Sequence, residues 1–244
     1  MFNNIPQVTK NILILNILFF IATLVFQGKG LDLVSLLGTH YVNSPLFQPF
    51  QIVTHFFMHA NFFHILVNMW LFVMLGAFLE RLWGPQRFFL FYVISALGAF
   101  ALHNAIGVYE LNQLRQILVS QNLPIDEIND LLKQEKYIET LFQTNPDYRK
   151  YVEMSFTPMV GASGAVFGVM AAFAILFPNT EFLIYFLFPV KAKYLVGAYL
   201  LFEVYAAFQN NVNDPVAHLA HIGGAIAGGI LVLIWRKKDR SNFY

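Results

Sequence analysis

Six stretches of this chain are apolar for close to the length of a bilayer crossing, and that repetition limits the fold more than any other feature. A spanning helix needs roughly 20 predominantly apolar residues at about 1.5 Å of rise each. The stretches at 11–27, 62–80, 87–106, 159–177, 194–209 and 216–235 meet or approach that requirement. The segment FLIYFLFPV at 182–190 is too short to span and reaches Pro189, so it reads as an interfacial or re-entrant piece leading into the fifth stretch. Composition agrees: 57% of the residues are hydrophobic and 12% charged, with a mean hydropathy of +0.57. Soluble domains run near 45–50% apolar and about 25% charged. The expected fold is therefore all-α, a polytopic six-helix bundle forming one membrane domain over 1–244.

The first stretch follows Lys10 and is succeeded by QGKGLDL rather than by a run of small residues, so it reads as a retained span and not as a cleaved signal. Six spans put both termini on one side. With the N-terminus inside, the inner segments hold nine of the fifteen Lys and Arg residues, including Arg81, Arg87, Lys191, Lys193 and the cluster Arg236, Lys237, Lys238 and Arg240. The outer segments hold Lys29 and five residues of one long insertion, so the bias places both termini in the cytoplasm. That insertion, 107–157, joins the third and fourth spans. Its LNQLRQILVSQNL and PIDEINDLLKQEKYIETLF have apolar residues three and four apart, which predicts two or three short amphipathic helices outside the membrane, with NPD at 145–147 ending the second run. It is too small to stand as an independent domain.

Several chemistries drop out early. The chain has no cysteine, which removes disulfides, thiolate nucleophiles and cysteine-ligated metals together. A net charge of +1 offers no general basic field for nucleic acid. What remains is a small set of polar side chains inside apolar spans, where they are costly and tend to mark function. Counting from the outer side, His64 and Asn68 in HILVN, Ser163 in GASG and His221 in AHLAHIGG all fall at one depth. A hydroxyl and an imidazole at matched depth make a nucleophile and its base if their helices approach closely. Gly164 and Gly168 on the fourth span, and Gly224 and Gly228 on the sixth, are four apart and permit that approach. His64, Asn68 and the Ser163 backbone N–H could serve a developing oxyanion.

No carboxylate obviously completes a triad: Asp214 precedes the sixth span, and Glu203 in the fifth counts as deeper than the site, which leaves a Ser–His pair. The G-x-S-x-G elbow is excluded, since Ala165 stands where its second glycine belongs. His218, three residues before His221, is the rival base. His55 and His59 are four apart, a metal-ligand spacing, but read as structural loop residues. His103 and Glu203 read as internal hydrogen-bond partners, with a water path as a further role for Glu203.

Taken together and in order, THFFMH at 54–59, HILVN at 64–68, GASG at 161–164 and AHIGGAIAG at 220–228 resemble the rhomboid family of intramembrane serine proteases. The resemblance covers the six spans. It implies Ser163 as nucleophile, His221 as general base, His64 and Asn68 in the oxyanion hole, and Phe167 packed against the histidine. Gly161, Gly164, Gly168, Gly224 and Gly228 are expected to pack helices. Glu80, Arg81 and Gly84 in LERLWG resemble the family's cytoplasmic end of the second span. Two departures stand out: Phe50-Gln51 occupies a place where some rhomboids carry Trp-Arg, and the 107–157 insertion lies outside the six-helix core.

The resemblance implies transmembrane protein substrates, a lipid environment, no cofactor, no metal and no nucleic acid. It also implies a bacterial inner membrane, with the site opening to the outer side. Two other readings stay open. One is a catalytically inactive rhomboid-like binder of membrane proteins. The other is a histidine-rich membrane cofactor or metal protein, with His59, His64, His218 and His221 as ligands.

Overall fold

The computed structural model describes residues 4–184, 187–209 and 216–238. The chain is a bundle of apolar helices. Helix α1 (Gln7–Gln27) is followed by a long first loop with two short helices, α2 (Leu33–Leu37) and α3 (Gln51–Thr54), and a 3₁₀ turn at His55–Phe57. The second long helix consists of α4 (Phe62–Leu71), a π-helical turn at Phe72–Gly76 and α5 (Ala77–Trp83). Then come α6 (Pro85–Ser120), α7 (Ile125–Lys133), α8 (Glu139–Thr144), α9 (Pro146–Phe156), α10 (Ser163–Leu176), α11 (Ala192–Gln209) and α12 (His218–Lys238).

Among the described residues, four helices are long and apolar enough to cross a membrane: Gln7–Gln27, Phe62–Trp83, Pro85–Ser120 and His218–Lys238. Helix α10 is apolar but has only 14 residues, about 21 Å of helix. Helix α11 has 18 residues and carries Lys193 and Glu203.

Three expectations need correction. Residues 159–162 do not belong to the fourth helix. Met159 exchanges backbone hydrogen bonds with Thr39 of the first loop, at 2.9 and 2.8 Å, and Gly161 has φ +121°, so the chain stays extended and the helix starts at Ser163. The 182–190 segment carries β1 (Glu181–Ile184) paired antiparallel with β2 (Phe188–Lys191), whereas the other elements of the described residues are helical. Its Leu183 and Phe188 are exposed, which suits an interfacial position. Asn145-Pro146-Asp147 ends α8 but also opens α9: the Asn145 side chain accepts from the Asp147 and Tyr148 N–H groups, and Pro146 takes the first helical position.

The bundle core is tightest where α6, α10 and α12 meet. A methyl at Gly224 would run into the carbonyl of Gly164, and one at Gly228 would come within 2.8 Å of the Gly168 Cα. Small residues thus set the backbone separation of α10 and α12, the close approach that lipid-embedded helices use when burial from water cannot drive association. A methyl at Gly164 would in turn strike Ala99 of α6.

At the opposite end, Glu80 serves the start of α1. Its Oε1 accepts from the Val8 N–H at 2.8 Å, and its Oε2 accepts from the Thr9 N–H at 2.7 Å and the Thr9 hydroxyl at 2.8 Å. A carboxylate there satisfies amides that have no intrahelical partner and complements the helix dipole. The Arg81 guanidinium donates to the Asn4 carbonyl at 2.6 Å.

Helix α6 does not stop at the predicted membrane boundary. It runs 36 residues, about 54 Å, so its last turns form the first helix of the insertion. Leu111, Leu114 and Leu118 of α6 pack with Ile128 and Leu132 of α7 and Tyr148, Tyr151 and Val152 of α9 in a small core separate from the main one. The first loop is bonded to this assembly. The His40 Nδ1–H donates to the Ser155 carbonyl at 2.9 Å, and the Asn43 amide donates to the Val108 carbonyl and to the Asn112 side chain at 3.2 and 2.9 Å.

Candidate active site

Ser163, His64 and His221 stand at the first turns of three helices, α10, α4 and α12, at one end of the bundle. Each is positioned by a local device. Ser163 is the first residue of α10, so the leading backbone N–H groups of that helix have no intrahelical carbonyl to bond. The extended strand before it is held on the first loop, where the Gly161 N–H donates to the His55 carbonyl at 3.0 Å. His64 sits in the first turn of α4, where the Asn61 side chain caps the helix by accepting from the His64 N–H at 2.8 Å. His221 is fixed through the glycine contact of α12 with α10.

The structure brings the expected pair together: His221 Nε2 lies 2.9 Å from Ser163 Oγ. Phe167, one turn after Ser163, stacks on the His221 ring with centroids 4.2 Å apart and planes inclined by 11°. Asn68, one turn after His64, is buried, and its amide nitrogen has no hydrogen-bond partner among the described residues. The four helix-packing glycines 164, 168, 224 and 228 lie where α10 meets its neighbours.

Gly161 does something else. It precedes the helix, and a Cβ built on it would lie 2.9 Å from His64 Nε2 and 3.5 Å from Ser163 Oγ. Its missing side chain leaves open the space between the hydroxyl and the imidazole, while its positive φ suits glycine.

Glu203 is what counting along the sequence misplaced. Its Oε2 lies 2.9 Å from His221 Nδ1 and 2.6 Å from His218 Nδ1. The carboxylate is buried, 1% exposed. Glu203 stands six residues before the end of α11, about 9 Å along the axis, whereas His221 is three residues into α12, about 4.5 Å. The difference is the reach of one glutamate side chain, which a comparison of Cα depths ignores. Asp214, the other carboxylate considered, lies outside the described residues. His218, the rival base, turns its Nδ1 to Glu203, and the bond to Ser163 is made by His221.

The remaining histidines divide between loop and helix. His55 is buried and its Nδ1–H donates to the Gln51 carbonyl at 2.7 Å; burial pushes its pKa from 6.5 down to about 4. His59 is fully buried, edge-on to His64 with ring centroids 5.0 Å apart, and burial, reinforced by His64, pushes its pKa down to about 3. Both are neutral near pH 7. His103 stacks on Tyr41 at 5.0 Å and does not bond Glu203. Among the described residues the metal-like grouping is Glu203, His218 and His221, with ligand atoms within 4.8 Å of one another. His59 and His64, ligands in the metal reading, are not part of it.

Apolar spanning helices, drawn together by glycines around a serine and a histidine at one end of the bundle, define a polytopic membrane protein. The Rhomboid domain family matches residues 46–120 and 134–238, and the chain belongs to that family. The match is interrupted at 121–133, which holds α7 of the insertion. A relative is an uncharacterized mitochondrial rhomboid protein of Schizosaccharomyces pombe, 28% identical over 209 residues, 77% of this chain and 52% of the relative. The chain thus spans about half the length of that protein. The protein is an integral membrane protein. The expected bacterial membrane finds no counterpart here, since the relative is mitochondrial by name.

Proposed function

We propose that the protein is an intramembrane serine protease that cleaves transmembrane or membrane-anchored proteins, with α10 and α11 as the remaining two helices of a six-helix core and the termini on the cytoplasmic side. The single observation that carries this reading is the 2.9 Å contact of Ser163 Oγ with His221 Nε2, in a ring plane held by Phe167. In the proposed reaction His221 Nε2 takes the Ser163 hydroxyl proton as Oγ bonds to the scissile carbonyl carbon. The carbonyl oxygen becomes an oxyanion beside His64, the unpartnered Asn68 amide and the Ser163 N–H. His221 then returns the proton to the departing amine, the C–N bond breaks, and water releases the acyl group by the same steps in reverse order.

The test is cleavage of a generic transmembrane substrate in detergent, run alongside fluorophosphonate labelling. Wild type is expected to cleave and to take the label, and Ser163→Ala to do neither. A wild type that folds, cleaves nothing and takes no label points to the inactive membrane-protein binder. The metal reading is favoured by one observation, the cluster of Glu203, His218 and His221. Elemental analysis separates it: a stoichiometric metal in the purified protein, lost on His218→Ala, would support that reading.

A further inference from the structure

We propose that Glu203 is a positioning residue that holds His221 of the Ser163–His221 pair in the tautomer and orientation of a base; the inference rests on the protease reading above. A carboxylate can only accept hydrogen bonds, so the His221 nitrogen 2.9 Å from Glu203 Oε2 is the one that carries a proton. A neutral imidazole has a single N–H. Its other nitrogen, Nε2, therefore presents a lone pair, and that atom faces Ser163 Oγ at 2.9 Å. In the opposite tautomer Nε2 would offer a hydrogen and could not take the serine proton. Glu203 thus selects the one neutral form of His221 that can act as a base. When Nε2 is protonated during the reaction, the same carboxylate faces the resulting imidazolium, where a water-poor surrounding strengthens the attraction.

Three contacts make the selection rigid. Phe167 fixes the plane of the ring, with planes inclined by 11°. Glu203 fixes rotation within that plane, since a flipped ring would bring carbon to the carboxylate. His218 donates to the same Oε2 at 2.6 Å, so the carboxylate is itself oriented. Both histidines come from the first turn of α12, three residues apart, and the single acceptor is on α11. The rival account is that Glu203 merely ties α11 to α12. That account requires the hydrogen bonds but not the charge or the tautomer.

Glu203→Gln tests the difference, because it keeps the volume and a hydrogen-bonding oxygen but loses the charge. The expected outcome is a kcat on a transmembrane substrate lowered by about 100-fold or more, as for loss of the orienting carboxylate in serine protease triads. KM stays within about threefold, phosphonate labelling of Ser163 slows in parallel with kcat, and Tm stays close to wild type. A kcat within threefold of wild type overturns the inference. Should the variant not fold, ¹⁵N histidine-selective NMR of wild type decides, with the His221 resonance identified by its loss in His221→Ala. Neutral His221 protonated at Nδ1 is expected; an Nε2–H form in an active wild type overturns the inference alone. Wild type that neither cleaves nor takes the probe overturns the protease reading instead, a result that the tautomer measurement does not depend on.

Discussion

Ser163 and His221 touch through one hydrogen bond, and in the proposed chemistry neither acts without the other. Ser163→Ala and His221→Ala should therefore each abolish turnover, and the double variant should cost no more than either single change, since residues acting as a unit are not additive. Turnover by Ser163→Ala well above background would refute the assignment. His55 supports a prediction of a different kind. In the folded protein it takes a proton only at a pH of about 4, whereas the unfolded chain takes one near 6.5. Its contribution is complete above pH 6.5, shrinks as the pH falls, and is gone below the folded value, a loss of about 3 kcal/mol for this residue. Tm in detergent should accordingly fall between pH 7 and 4.5, and less steeply in His55→Asn; parallel curves would refute it. The meeting of Ser163 and His221 was legible in the chain because helical spacing and a common depth place them without side-chain detail, whereas the packing of Phe167 on His221 was legible only through the resemblance to rhomboids. Glu203 and Gly161 were not. The first acts through the length of its side chain, and the second through a backbone angle forced by a loop more than a hundred residues away in sequence.

Helix ends and helix contacts follow different rules, and the chain announces them unequally. Apolar length marked where long helices run. It did not mark where α10 begins, because that boundary is imposed by Thr39 pairing with Met159, nor where α6 stops, because its last turns exchange lipid for the small core of the insertion. The small-residue contacts were legible as four-residue spacings, and their energetics can be tested within one protein. Replacing a helical glycine by alanine ordinarily stabilises by about 0.5–1 kcal/mol. Gly197→Ala on α11, with no atom within 4 Å of the added methyl, should be neutral or raise Tm. Gly224→Ala should do the reverse and cost about 2 kcal/mol, because its methyl meets the rigid Gly164 carbonyl of α10. It should also slow labelling of Ser163, which rides on α10. Equal Tm changes in the two variants would mean that the helices separate freely and that their spacing is not set by glycine.

Across the whole molecule, the insertion and the first loop form one bonded layer, joined by His40 to Ser155 and by Asn43 to Asn112, and that layer leads directly into Ser163. We expect it to shape substrate access rather than chemistry. Replacing 110–153 by a short flexible linker, which spares Ser155 and its bond to His40, should then impair cleavage of transmembrane substrates more than phosphonate labelling. Equal loss of both would show that the layer holds α10 in place. The far end of the bundle carries a consequence for biosynthesis. The carboxylate that serves the first turn of α1 belongs to Glu80, 71 and 72 residues downstream of the amides it receives. A nascent chain halted before Glu80 holds α1 with those amides unmet, so the first span should settle against the bundle only after the second has been delivered. Cysteine pairs placed at Val8 and Leu79 should crosslink in arrested chains long enough to have released Glu80, and in those made with Glu80→Ala the yield should drop.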